Sequence, residues 1–241
     1  MSTALAPIQL RSAPQEARVT YLKRVMLWTT GGLTIAAIVG SMTAVALYVG
    51  LQMGMSFLLS TPVMLIGIMG SFAVAQWVAP KLVFGEQKVA GFLLAATFEG
   101  IAFGWLLLSA VLLGLQTGNP FGLIFSALGL TGLTGAGLTA YVWSNPREFK
   151  LLGAALSALF VPMLILMGVS FIFPSLFGGP MGVALSALFV VISAGGLLYQ
   201  INTVLHKLRT DMHMEGSYLI TMGILVLYWN ILTLLMSLSR D

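Results

Sequence analysis

The stretch from Val89 to Leu113 decides the fold of this protein, and it reads VAGFLLAATFEGIAFGWLLLSAVLL. Its only charged side chain is that of Glu99. A transmembrane helix needs about 20 mostly apolar residues, because the hydrocarbon core of a bilayer is about 30 Å thick and a helix rises about 1.5 Å per residue. This stretch is therefore predicted to cross a membrane as a helix.

Six more apolar stretches flank it, separated by short breaks rich in Pro, Gly, Asn and charged residues, of which Pro80-Lys81 is one. The apolar runs show no alternation typical of barrel strands, and no break is long enough to fold alone. The predicted fold class is all-α: a polytopic membrane protein with seven transmembrane helices in one domain, residues 22–241. The predicted spans are residues 25–48, 57–79, 89–113, 120–142, 151–173, 181–202 and 217–238.

The composition excludes several function classes. Of the 241 residues, 59% are hydrophobic and 7% are charged, whereas a soluble domain carries about 25% charged residues. Soluble enzymes, disordered proteins and nucleic-acid binders are excluded. The absence of Cys excludes a disulfide framework and thiolate metal sites. No nucleotide-binding or hydrolase motif is present, so we expect no enzymatic activity, no cofactor and no metal site.

Basic residues are distributed unevenly between the two sides of the predicted membrane. Cytoplasmic loops carry an excess of Lys and Arg, so the amino terminus is predicted in the cytoplasm and the carboxyl terminus outside. Residues 1–21 are polar and are predicted to form a flexible cytoplasmic tail. Arg240 alone falls on the outer side, and the cytoplasmic side holds Arg11, Arg18, Lys23, Arg24, Lys81, Lys88, Arg147, Lys150, Lys207 and Arg209.

Small residues at helical spacing mark predicted packing faces. Gly100 and Gly104 form a G-x-x-x-G pair, and Gly132 and Ala136 form part of a second stripe. Helices in lipid associate through close packing at such residues. Packing within one chain and a homodimer face both remain open as interpretations. Pro162 lies at the middle of the fifth span and predicts a kink there.

Glu99 is the only charged residue inside a predicted span. A charge at the bilayer centre costs roughly 2.5–3.5 kcal/mol on insertion scales, so such residues are usually functional. No Lys, Arg or His lies within a span as its counter-ion. Two interpretations stay open: an ion or proton site, and a neutral acid that hydrogen-bonds a neighbouring helix.

Two amides, Gln200 and Asn230, are the other polar candidates, and we expect them to join helices by hydrogen bonds. They can meet only if the sixth helix continues past Thr203. His206, Asp211, His213 and Glu215 fall between the last two spans. This segment is predicted to be a solvated loop.

The stretch from Val190 to Asp241 resembles the carboxyl-terminal part of the Bax inhibitor family of seven-span membrane proteins, and it is most similar to the bacterial YccA branch. The similar segments are VVISAGGLLYQINTVLHK and GSYLITMGILVLYWNILTLLMSLSRD. TAYVWSNPREFKLLG and FEGIAFG also resemble segments of that branch. The resemblance implies a seven-helix bundle with a central last helix, no enzymatic activity, and a place in the bacterial cytoplasmic membrane.

The resemblance implies two alternative functions. Some family members are described as calcium leak channels gated by a pair of Asp residues in the last two spans, and Gln200 and Asn230 stand at the matching positions here. Because amides do not titrate, this chain departs from that sensor. The YccA branch is instead associated with the membrane-anchored AAA protease FtsH as a modulator. The alternative is a calcium or proton leak that uses Glu99. A third possibility is that the protein is a member of this family with no independent role that its sequence reveals.

Overall fold

The protein is described by a computed structural model at residues 9–145, 149, 151–156, 158, 166 and 179–239. These residues are helical apart from short turns and one isolated bridge between Gln9 and Arg209. The helices are α1 (Gln15–Gln52), α2 (Thr61–Ala73), α3 (Ala79–Val83), α4 (Lys88–Gln116), α5 (Gly122–Ser144), α6 (Gly179–His206) and α7 (His213–Leu238). A five-residue π-helical turn, Val74–Val78, joins α2 to α3 without a break in the helix.

Six segments among the described residues are long and apolar enough to cross a membrane, with α2, the π-helical turn and α3 counting together as Thr61–Val83. They confirm six of the seven predicted spans and the all-helical, polytopic fold class. The predicted fifth span, 151–173, lies largely outside the described residues, and so does its Pro162. Helix α4 ends at Gln116, beyond the predicted span end at Leu113, and Gly118 just after it adopts a positive φ of 76° that stops the helix.

The amino-terminal segment is packed over much of its predicted flexible length. Helix α1 begins at Gln15 rather than at residue 25, and the Leu10 N–H donates to the carbonyl of Leu208 at 3.0 Å. Leu10 and Tyr21 are both 2% exposed and pack in one apolar cluster with Val204. Leu10, Ala13 and Tyr21 anchor a segment whose other side chains are mostly exposed, and residues 1–8 of the expected tail lie outside the described residues.

Helices α4 and α7 form the centre of the bundle. In the most apolar stretch of each, 50% of the residues are buried, against 11% in α5. Helix α4 packs along α1, and α7 packs along α6 in the opposite direction. The central position of the last helix agrees with the architecture that the resemblance implied.

The G-x-x-x-G pair lies against α1 within the same chain. A methyl group at Gly100 would sit 2.9 Å from the Ala36 carbonyl oxygen, and one at Gly104 would meet Thr43. These two glycines therefore let the backbones of α1 and α4 approach closely. Gly132 and Ala136 are exposed, and no atom lies within 4 Å of the Cβ position at Gly132. The homodimer interpretation of that second stripe stays a prediction.

The basic residues gather at one end of the bundle. Lys88 at the start of α4 pairs with Glu215 at the start of α7, and the Tyr21 hydroxyl near the start of α1 donates to the Met212 carbonyl at 3.3 Å. Arg209 pairs with Gln9 in the bridge. We refer to this end, where α1, α4 and α7 begin, as the basic end.

Candidate functional site

Glu99 lies in the middle of α4 and is completely buried. Its Oε1 accepts a hydrogen bond of 2.8 Å from Nε2 of Gln76. Its Oε2 has no hydrogen-bond partner within the part of the chain that the structure describes, and no ion pair to Glu99 is formed there. The carboxyl group thus has one bonded and one unbonded oxygen and no counter-ion among the described residues.

Gln76 reaches Glu99 from the π-helical turn, and Pro80 explains that turn. Within it, the Ala79 N–H donates to the carbonyl of Val74, five residues back. In the same five-residue pattern, the carbonyl of Ala75 would accept a hydrogen bond from the N–H of residue 80. That residue is Pro80, which has no N–H. Local π geometry is frequent at functional sites. The predicted break at Pro80-Lys81 is wrong, since the helix continues through this proline to Val83.

Tyr218 on α7 supplies the missing donor. Its hydroxyl donates to the carbonyl of Ala75 at 3.0 Å, and the side chain is 5% exposed. The site therefore joins three segments of the bundle: α4 gives the carboxyl group, the π-helical turn gives an amide, and α7 gives a phenol.

Replacing Tyr218 by Phe is expected to lower the stability of the bundle by about 1–3 kcal/mol, because the buried Ala75 carbonyl then has no donor. Thermal unfolding of the detergent-solubilised protein measures this. The matched control is Tyr228→Phe, which removes the hydroxyl of a largely buried tyrosine on the same helix that forms no hydrogen bond among the described residues. Equal melting temperatures for the two variants would contradict the role given to the Tyr218 hydroxyl.

Gln200 and Asn230 are not brought together. Helix α6 does continue past Thr203, to His206, but the register of the two antiparallel helices places Gln200 against Gly223. Asn230 lies seven residues further along α7, about 10 Å away along the axis. Its Nδ2 donates to the carbonyl of Val226 in its own helix at 3.0 Å.

A cleft of about 180 Å³ connects Gln200 to the Glu99 site. Gln76 lines it, as do Ser193, Gln200 and apolar residues of α6 and α7. The Oε1 atom of Gln200 is buried and has no described partner. The cleft is large enough for several waters, and its amide groups are the kind of partners that hold them. Gln76 thus stands between the cleft and Glu99.

The segment predicted as a solvated loop is partly buried, which corrects that prediction. Glu215 lies in the first turn of α7, is 2% exposed, and binds Nζ of Lys88 at 2.6 Å. Glu215, Tyr218 and Met222 are three and four residues apart, which places them on one face of a helix. This spacing in the sequence indicates that the helix already includes Glu215. Asp211 is exposed and pairs with Arg209 at 3.2 Å. Within the described residues, no three His, Asp or Glu side chains are grouped as a metal site would need.

Comparison with known proteins gives one match. A family model described as "Inhibitor of apoptosis-promoting Bax1" matches residues 18–240. No curated protein and no solved structure matches the chain. The matched range covers every described helix except the first three residues of α1.

Proposed function

This chain belongs to the Bax inhibitor family of integral membrane proteins, and from that premise we propose that it is a non-enzymatic proton leak whose proton-binding group is Glu99. The observation that carries the proposal is the state of this carboxyl group: it is fully buried, lacks a counter-ion among the described residues, and has one oxygen bonded to Gln76 and one with no described partner. A buried carboxyl group of this kind is able to exchange a proton without breaking an ion pair.

The surrounding polar groups support a route for the proton. Gln76 contacts Glu99 on one side and lines the cleft on the other. Gln200 lines the same cleft, and its buried Oε1 atom has no partner among the described residues. Waters held between these amides would form a hydrogen-bonded chain from the cleft to the carboxyl group.

The chemistry of the site favours a proton over calcium. Calcium takes 6–8 oxygen ligands, several of them carboxylates. Among the described residues, Glu99 belongs to no group of three acidic or His side chains, and its neighbour Gln76 presents an amide N–H rather than an oxygen. Gln200 and Asn230 stand where the calcium leak channels of the family have their Asp pair. The lack of carboxylates at these two positions also favours a proton over calcium.

The test is proton flux into liposomes that contain only the purified protein. A pH jump across the membrane is followed by an entrapped pH-sensitive dye, and calcium uptake is followed in parallel. We expect proton uptake above that of empty liposomes and calcium uptake at the empty-liposome level. Proton uptake equal to that of empty liposomes across the pH series would refute the proposal.

The resemblance of Val190–Asp241 to the YccA branch favours a second candidate, a modulator of an FtsH-type membrane-anchored AAA protease in a bacterial cytoplasmic membrane. The basic end of the bundle would then face the cytoplasm, as the Lys and Arg distribution predicts. Leu10 is buried and its N–H donates to the Leu208 carbonyl. A protease that pulls on the amino terminus must therefore break the Leu10–Leu208 hydrogen bond early.

Deleting residues 2–8 is expected to abolish capture of the protein by a purified FtsH-type protease, because processive proteases engage a loose chain end. The deletion stops short of Leu10, so the packed segment is kept. The control replaces residues 2–8 with a Gly/Ser sequence of equal length, which should restore capture. If the deleted protein still binds the protease and slows its turnover, the tail has no such role.

A further inference from the structure

A groove opens at the basic end of the bundle, remote from the Glu99 site. It has a volume of about 490 Å³ and lies between the start of α1 and the ends of α5 and α6. This volume falls in the range of about 300–1,000 Å³ typical of small-molecule sites. Its walls are mainly apolar and include Leu22, Val142 and Leu205.

Two basic side chains border this apolar groove. Arg18 lines it, and the Nε of Arg18 donates to the carbonyl of Ala13 at 2.8 Å, which holds the guanidinium group in place. His206 lines it from α6, and its Nδ1 lies 3.0 Å from the Asn202 carbonyl oxygen of the same helix. Arginine binds phosphate groups with good geometry because its planar fork presents parallel N–H donors.

The groove also lies where a lipid headgroup would be found. Trp143 lines it and is 67% exposed, and exposed tryptophans are enriched at membrane interfaces. Helices α5 and α6 end beside the groove, so their apolar faces adjoin its basic rim, which Arg18 and His206 form. Basic pockets between transmembrane helices are a recurrent way to bind anionic lipid headgroups.

We propose that this groove is a binding site for one anionic phospholipid, with the phosphate at Arg18 and His206 and the acyl chains along Leu22, Val142 and Leu205. The charge of the rim is complementary to a phosphodiester. The apolar walls explain why the ligand carries acyl chains, since a free phosphate ion would gain nothing from them. The site is independent of the proton leak and of the protease interaction.

The experiment measures lipid binding to the full-length, detergent-solubilised protein by native mass spectrometry at about 0.15 M salt, where diffuse charge attraction is screened beyond about 8 Å. The probes are phosphatidylglycerol and phosphatidylcholine with identical acyl chains, and inorganic phosphate as competitor. We expect phosphatidylglycerol to bind about tenfold more tightly than phosphatidylcholine, because both lipids carry a phosphodiester but the choline cation of phosphatidylcholine offsets its charge beside Arg18. Inorganic phosphate should not displace the lipid at equal concentration.

The variants form a matched pair. Arg18→Gln and Lys23→Gln each remove one positive charge from the exposed surface of α1 near the basic end, but only Arg18 lines the groove. We expect Arg18→Gln to weaken phosphatidylglycerol binding about tenfold, and Lys23→Gln to change it about twofold or less. Leu22→Trp, which fills the groove without changing charge, should also abolish the preference.

Three results would each overturn the proposal. One is equal binding of the two lipids by the wild-type protein. Another is an equal loss in Arg18→Gln and Lys23→Gln, which would indicate general surface charge. The third is displacement of the lipid by inorganic phosphate, which would indicate a site for the free anion.

Discussion

Replacing Glu99 by Gln is expected to reduce proton flux through the protein to the level of empty liposomes. Glutamine keeps the size of the side chain, and its carbonyl oxygen still accepts the hydrogen bond from Gln76. It has no proton to exchange between pH 4 and pH 9, so only the transfer step is removed. Positioned proton-transfer groups typically contribute about a hundredfold or more to a rate. The measurement is dye-reported proton uptake at equal protein density.

Two further variants make this prediction specific. Glu86→Gln removes a carboxylate from the exposed turn before α4 and should leave the flux unchanged. Glu99→Asp keeps a titratable group but withdraws it from Gln76 by one methylene, so an intermediate flux is expected. If Glu99→Gln conducts protons as well as the wild-type protein, Glu99 is a structural acid that only ties α4 to the π-helical turn.

Replacing Lys88 by Met is expected to destabilise the bundle by about 3 kcal/mol, because Glu215 would lose its cation while buried. The side chain of Glu215 is 3% exposed and that of Lys88 is 35% exposed. We place the loss at the lower end of the range for buried pairs, since water reaches the lysine. Thermal unfolding in detergent gives the change in melting temperature.

The control uses the other ion pair at the same end of the bundle. Arg209 and Asp211 are both 48% exposed, so Arg209→Met should cost about 0–1 kcal/mol. Adding Glu215→Gln to Lys88→Met removes the unpaired charge and should recover part of the lost stability. If Lys88→Met and Arg209→Met have the same melting temperature, the Lys88–Glu215 pair contributes no more stability than a surface ion pair.

The candidate site was predictable only in part. Glu99 stands out in the sequence because a lone carboxyl group in an apolar span is costly, and the structure buries it. Its partners do not stand out. Gln76 reaches it through a π-helical turn, and Tyr218 comes from a helix more than 100 residues away in the chain. Neither contact has a local sequence signal.

Contacts between helices could not be predicted from the sequence. It left open whether Gln200 and Asn230 meet, and the register of α6 and α7 sets Gln200 against Gly223 instead. Glu215 was assigned to a solvated loop, but α7 begins at His213 and turns this carboxylate toward Lys88. In both cases, the register or the starting residue of a helix decides which side chains meet.

The sequence by itself determined that this protein is helical and crosses a membrane several times, because lipid requires apolar runs of helix length and leaves few alternatives. It also predicted that Glu99 lies inside a membrane span, and the structure places this residue in the middle of α4. The tertiary structure decided which helices are central, how α6 and α7 are aligned, and where the helices end beyond their apolar cores. These features depend on close packing at residues such as Gly100 and Gly223. Such packing depends on the fit between two helix faces, so the sequence of one helix alone does not determine it.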